Sequence, residues 1–122
     1  MPEKKQILVV DDDGDIRAML LDFLSHHGYE VITAEDGAQA IESARQHIPD
    51  LVITDMLLPK EHGLQVLEFV KERFFIPVIA ISGVYDAPQI LAQVEEHNID
   101  GFFPKPIDLP SLLAKVQTIL HG

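Results

Sequence analysis

Asp11, Asp12, Asp13, Asp55, Ser82 and Lys105 are the residues whose types and placement could do chemistry. Each stands at or just beyond the end of a short apolar run. The three aspartates follow Ile7–Val10, Asp55 follows Leu51–Thr54, Ser82 closes Val78–Ser82, and Lys105 lies just past Gly101–Phe103, with Pro106 after it. Several carboxylates packed together repel, and at least one pKa rises unless a cation intervenes. Hard oxygen ligands select Mg²⁺, Mn²⁺ or Ca²⁺, and Mg²⁺ typically takes one or two carboxylates, waters and a phosphoryl oxygen. Lys105 adds a point charge suited to a phosphoryl oxygen or to Asp55 itself. Ser82 adds a hydroxyl donor. A carboxylate nucleophile, a cation site, an ammonium and a hydroxyl are the parts needed to move a phosphoryl group onto a carboxylate. In that reaction positioning and charge neutralisation do most of the catalysis. Taken singly, an Asp at a strand end is a turn former or helix cap, a Ser there is a turn residue, and a Lys is a solvated cation. The specificity lies in all of them falling at the carboxyl ends of successive strands.

Continuous apolar runs such as Ile7–Val10, Leu51–Thr54 and Val78–Ser82 suit strands buried on both faces, the parallel-sheet pattern. Glu30–Ala34 reads as a further strand and Gly101–Phe103 as a short last one. Helical patterns lie between. Ile16, Leu20, Phe23 and Leu24 fall at i, i+4, i+7 and i+8, and Gly28 supplies a stop. Ala40, Ile41, Ala44 and Ile48 form a second apolar face ended by Pro49. Val66, Leu67, Val70 and Phe74 form a third, ended before Pro77. Ile90, Leu91 and Val94 form a weaker fourth with Asn98 as its cap. Leu109, Leu112, Leu113, Val116 and Leu120 form the fifth. This βαβαβαβαβα alternation predicts an α/β fold, a five-stranded parallel sheet with helices on both faces and right-handed crossovers. The expected strand order is the flavodoxin-like 2-1-3-4-5. In such sheets ligands bind beyond the carboxyl ends of the strands, at the switch in strand order. Strands 1 and 3 are then neighbours, which brings Asp11, Asp12 and Asp55 together.

Composition narrows the classes. The 122 residues predict one domain filling residues 1–122, long enough to bury about two-thirds of the unfolded chain's surface. Hydrophobic residues at 47% and charged residues at 24% argue against disorder. The absence of cysteine removes disulfides, thiolate metal sites and cysteine nucleophiles. No apolar run approaches the roughly 20 residues that span a bilayer, and none suits a signal peptide, so the expectation is a cytoplasmic protein. A net charge of −11 disfavours nucleic acid and anionic membranes as partners and is compatible with divalent cations.

These residues resemble the receiver domain of response regulators, the CheY-like family of two-component signalling, over Ile7 to Leu120. The motifs stand as Ile7-Leu-Val-Val-Asp-Asp-Asp13, Pro49-Asp-Leu-Val-Ile-Thr-Asp-Met-Leu-Leu-Pro59, His62-Gly63, Pro77-Val-Ile-Ala-Ile-Ser-Gly83 and Phe102-Phe-Pro-Lys-Pro106. The resemblance implies a (βα)5 sandwich and a phosphoprotein in which Asp55 accepts a phosphoryl group from a histidine kinase or histidine phosphotransfer protein. Asp12 would ligate Mg²⁺ (or Mn²⁺) directly and Asp11 through water, with Asp55 and the Leu57 backbone carbonyl completing the protein ligands. Ser82 and Lys105 would bond phosphoryl oxygens, Phe102 would be the aromatic switch that follows Ser82, and the Lys105–Pro106 bond would be cis. Asp13 is read as a helix cap. Such a protein is no enzyme beyond its own phosphorylation and dephosphorylation. It would present the face of the fourth helix, fifth strand and fifth helix to a target, as a monomer or a phosphorylation-dependent dimer. The chain ends just past the fifth helix, so no output domain is expected within it, whether it is a stand-alone receiver or part of a larger chain.

Three departures from the family pattern carry consequences. Phe102 lacks the hydroxyl of the Tyr common there. Pro104 stiffens the loop that carries Lys105. Leu57 and Val84 are apolar where the family flanks the hydrolytic water, which predicts slow self-dephosphorylation. Phe74, Phe75 and Phe103 are read as packing residues, and His62 as a solvated residue of the loop after Asp55.

Two rival classes use parts of the same pattern. Val10-Asp-Asp-Asp-Gly14 is similar to the first motif of haloacid dehalogenase-type phosphatases, with Asp11 as nucleophile and Asp13 as general acid. Asp15 stands where that family has Thr or Val, no acidic pair follows Lys105, and Asp55 is left without a role. A nucleotide- or flavin-binding module lacks its glycine-rich motif. A receiver shape that has lost phosphorylation conflicts with the intact set Asp11, Asp12, Asp55, Ser82 and Lys105.

Overall fold

The computed structural model describes residues 4–56, 62–83 and 99–122. Five strands, β1 (Gln6–Val10), β2 (Glu30–Ala34), β3 (Leu51–Asp55), β4 (Val78–Ser82) and β5 (Gly101–Pro104), form one parallel sheet in the order β2-β1-β3-β4-β5. The helices described are α1 (Gly14–His26), α2 (Gly37–Gln46), α3 (His62–Phe74) and α4 (Leu109–His121). The fold is the flavodoxin-like α/β sandwich. The fifth predicted helix is α4. The predicted helix at Ile90–Val94 and its Asn98 cap lie outside the described residues.

The sheet is buried on both faces, so its central strands read as unbroken apolar runs. Leu8, Val10, Val52, Val78 and Ala80 point to one face and pack under α2 and α3, through Ala40, Ala44, Val66, Leu67 and Val70. Ile7, Val9, Leu51, Ile53, Ile79 and Ile81 point to the other and pack under α1 and α4, through Leu20, Leu24, Leu112 and Val116. Each fully buried Val, Leu or Ile among them contributes roughly 1.5–3 kcal/mol by leaving water, and each Ala less. The same two-sided burial fixes register, because a slip of one residue would exchange the two sets. The register that results sets Val10 beside Thr54 and Asp55 beside Ile81, so β3 ends one residue beyond the level of Val10, abreast of Asp11, and β4 ends with Ser82 one residue further on.

Local chemistry sets the helix ends. Asp13 caps α1, its side chain accepting from the Asp15 amide, and Asp36 caps α2 by accepting from Gln39. Gly28 takes φ 94° after α1, a conformation that glycine adopts without strain. The end of α3 departs from that rule. Phe75 sits at φ 57°, its amide donating to the Lys71 carbonyl and the next amide to Val70, and its ring is 85% exposed. Phe75 is therefore not a packing residue, whereas Phe74 and Phe103 are partly buried against the two cores. Ile48 likewise leaves the apolar face assigned to it: α2 stops at Gln46, and Ile48 is exposed. His62 opens α3 rather than standing in the preceding loop. A left-handed non-glycine residue costs on the order of 1 kcal/mol. Phe75→Gly should accordingly raise the urea midpoint, by about 0.5–1 kcal/mol of stability. A lowered midpoint would show that the ring contributes more than its strain costs.

Candidate functional site

The switch in strand order lies between β1 and β3, and the acidic residues meet there. One oxygen from each of Asp11, Asp12 and Asp55 lies within 4.8 Å of the others. Asp11 is fully buried, Asp55 is nearly so, and Asp12 is exposed. Lys105 reaches across from the far side of β4. Its Nζ donates to Asp55 Oδ2 at 3.0 Å and lies 2.9 Å from Asp11 Oδ2.

Each residue is placed by backbone bonds at its strand end. The Asp11 amide donates to the Ala34 carbonyl, which extends the β1–β2 pairing by one residue. The Asp13 amide folds back to donate to Asp11 Oδ1 at 2.9 Å. Arg17 Nη1 donates to the Asp11 carbonyl at 2.7 Å. Met56 donates to the Ile81 carbonyl, holding β3 against β4 past Asp55. The Lys105 amide donates to the Ser82 carbonyl at 2.9 Å, so the loop bearing the cation is tied to the end of β4. The Lys105–Pro106 peptide bond is cis.

The electrostatics follow from burial and the close cation. Burial raises the Asp11 pKa, and the Asp55 charge adds to it, against the lowering by the Asp13 amide and Lys105. For Lys105 burial acts to lower the pKa, but the close carboxylates of Asp11 and Asp55 outweigh it and the net shift is upward. The ammonium is thus held charged. Asp11 Oδ2 is buried and meets that ammonium without a directed hydrogen bond. An under-satisfied buried carboxylate oxygen beside two further carboxylates is a donor set that fits a hard divalent cation.

Asp11, Asp12, Asp55 and Lys105 therefore come together. Ser82 is buried at the end of β4, the strand beside Asp55. Phe102, in β5 beside Ala80, is partly buried against the core under α2 and α3. Leu57 and Val84 lie outside the described residues. Two contributors escaped sequence reasoning. Arg17 stands inside a helix rather than at a strand end, and only its place one turn past the Asp13 cap signals that it faces the loop. Thr54, buried within β3, donates to the Asp55 carbonyl at 3.3 Å, a bond that no spacing rule anticipates.

Comparison with known proteins agrees with this geometry. The family model of the response regulator receiver domain matches residues 7–117. Response regulator ArlR of Staphylococcus aureus is 32% identical over 116 residues, 95% of this chain and 52% of ArlR. The chain thus spans about half the length of the curated relatives it matches. Among solved structures, the chemotaxis protein CheY4 of Vibrio cholerae is 28% identical with a TM-score of 0.87, covering 97% of this chain and 100% of that one. The signal receiver domain of an HD domain-containing protein from Pseudomonas fluorescens is 27% identical with a TM-score of 0.90, covering 97% and 95%. A parallel sheet in this order, with three aspartates and a lysine at its switch point, defines the class: the chain belongs to the response regulator receiver family. It is a receiver domain of two-component signalling. No helix among the described residues is long and apolar enough to cross a membrane.

Proposed function

We propose that this receiver accepts a phosphoryl group on Asp55 from a phosphohistidine of a kinase or phosphotransfer protein. The observation that carries the reading is the convergence of Asp11, Asp12 and Asp55 on one point with Lys105 bonded to Asp55. An Asp55 carboxylate oxygen attacks phosphorus and forms the acyl phosphate. The P–N bond of the donor breaks, and its imidazole keeps the electron pair. Lys105, already held beside Asp55, neutralises charge on the phosphoryl oxygens as the attack proceeds. Asp12, Asp11, Asp55 and the Leu57 carbonyl would hold Mg²⁺ or Mn²⁺, which supplies positive charge to those oxygens when bound.

Ser82, which ends the strand beside Asp55, would bond a phosphoryl oxygen through its hydroxyl, and its carbonyl already accepts from the Lys105 amide. Its movement, with Phe102 following, would shift the population between two surface states around β5 and α4. A partner protein reads that surface, in a cytoplasmic setting, with the receiver as a monomer or a phosphorylation-dependent dimer. The phosphatase reading is weaker on two observations. Asp13, its general acid, is spent as the cap of α1, and Asp11, its nucleophile, has Oδ1 tied to the Asp13 amide.

Intact mass after incubation with acetyl phosphate and Mg²⁺ tests the proposal. One phosphoryl adduct is expected on the wild type, absent without Mg²⁺ and absent in Asp55→Asn. An adduct that survives Asp55→Asn and is lost in Asp11→Asn would establish the phosphatase-type nucleophile instead.

A further inference from the structure

Arg17 lies in the first turn of α1, with its side chain 23% exposed. Its guanidinium makes two contacts across the loop. Nη1 donates to the Asp11 carbonyl at 2.7 Å, and Nη2 lies 3.9 Å from Glu35 Oε2, on the loop after β2. Glu35 is itself held, its amide donating to Gln39 Oε1 at 3.0 Å. Arg17 thus joins the β1–α1 loop to the β2–α2 loop on the side away from Lys105.

The bonded carbonyl belongs to the peptide unit between Asp11 and Asp12. The Asp11 amide, on the other side of that residue, is fixed by Ala34. Asp12 is different: it is exposed, and among the described residues nothing hydrogen-bonds its carboxylate. Its position depends on the backbone beneath it, and the orientation of that backbone is set by the charge-assisted bond from Arg17.

We propose that Arg17 is a positioning residue for the divalent-cation site, fixing the Asp11–Asp12 peptide so that the Asp12 carboxylate stands ready to ligate. This rests on the metal-dependent reading of the acidic cluster. It also makes a prediction that opposes simple charge. A guanidinium bonded to the Asp11 carbonyl adds positive charge near the cluster and repels a divalent cation, so by charge alone its removal tightens cation binding. As an outer support of a ligand, its removal loosens binding, typically by about tenfold or more.

Mn²⁺ affinity measured on the full chain, by the loss of the free-ion electron paramagnetic resonance signal, separates the two. Arg17→Ala should weaken binding about tenfold, and Arg17→Lys, which keeps the charge but loses the fork, by a smaller factor of about threefold. Glu35→Gln, which keeps an acceptor, should change it by less. Mn²⁺ binding to Arg17→Ala as tight as to the wild type, or tighter, overturns the proposal and leaves the cation site standing. Should Arg17→Ala fail to fold, Arg17→Lys carries the test, and unchanged affinity there overturns the proposal. A wild type that binds no Mn²⁺, or an Asp12→Asn variant that binds it as well as the wild type, overturns the metal reading and the Arg17 role with it.

Discussion

Lys105→Ala is expected to slow phosphoryl transfer from acetyl phosphate to Asp55 by about 10²–10³-fold at saturating Mg²⁺. The reason is geometric and electrostatic together. Lys105 Nζ stands 3.0 Å from the Asp55 oxygen, and its ammonium is held charged by Asp11 and Asp55. It is therefore in place before the donor arrives and needs no reorganisation as charge develops. The same variant leaves Asp11 and Asp55 buried against each other with no cation between them. The metal-free fold should then lose on the order of 2 kcal/mol, and Mg²⁺ should restore part of the loss. Stopped-flow measurement of adduct formation, with urea melts with and without Mg²⁺, checks both parts. A rate within threefold of the wild type would remove Lys105 from the chemistry.

Asp11→Asn is expected to reverse the usual sense of a site mutation by stabilising the metal-free protein at neutral pH. Burial raises the pKa of Asp11 in the fold above its ordinary value of 3.8. A carboxyl with a raised folded pKa favours the fold most when protonated. That contribution is complete below 3.8 and is lost as pH rises through the raised value. At neutral pH the wild type thus carries an ionised Asp11 at a cost. Asparagine is neutral at every pH and removes it, so the urea midpoint of the metal-free variant should lie above that of the wild type. The gain should shrink on acidification toward 3.8, where the wild type is protonated as well. Mg²⁺ should close the gap from the other side. It stabilises the wild type by roughly 2 kcal/mol at about thirty times its dissociation constant and the variant by much less. Urea melts across pH, with Mg²⁺ and with chelator, read these trends. A metal-free Asp11→Asn less stable than the wild type at neutral pH would contradict the burial argument.

The parts of this molecule legible in its sequence are those with a strict period or a fixed end. Strands β1, β3 and β4 show as unbroken apolar runs because α1 and α4 cover one face of the sheet and α2 and α3 the other. Asp11, Asp55 and Ser82 stand at or just past the carboxyl ends of those strands, so position alone marks them as candidates. Lys105 needed the topology, since only the strand order brings it to Asp55 from 50 residues away. What stayed hidden has no period. Arg17 acts through a backbone carbonyl, which carries no residue-type signal. Phe75 looks like core by composition but occupies the left-handed position where glycine would be expected, so hydrophobicity pointed inward and the backbone turned it outward. Ile48 failed similarly: it keeps helical spacing with Ala44, yet α2 ends before it.

The central claim is that phosphate chemistry occurs on Asp55 and not on its neighbours in the cluster. Borohydride reduces an acyl phosphate to an alcohol and so converts the modified aspartate to homoserine. Reduction of the acetyl phosphate-treated protein, followed by peptide sequencing in the mass spectrometer, locates that residue directly. Homoserine at position 55 and at neither 11 nor 12 is the predicted result. Homoserine at position 11 or 12 would contradict the account.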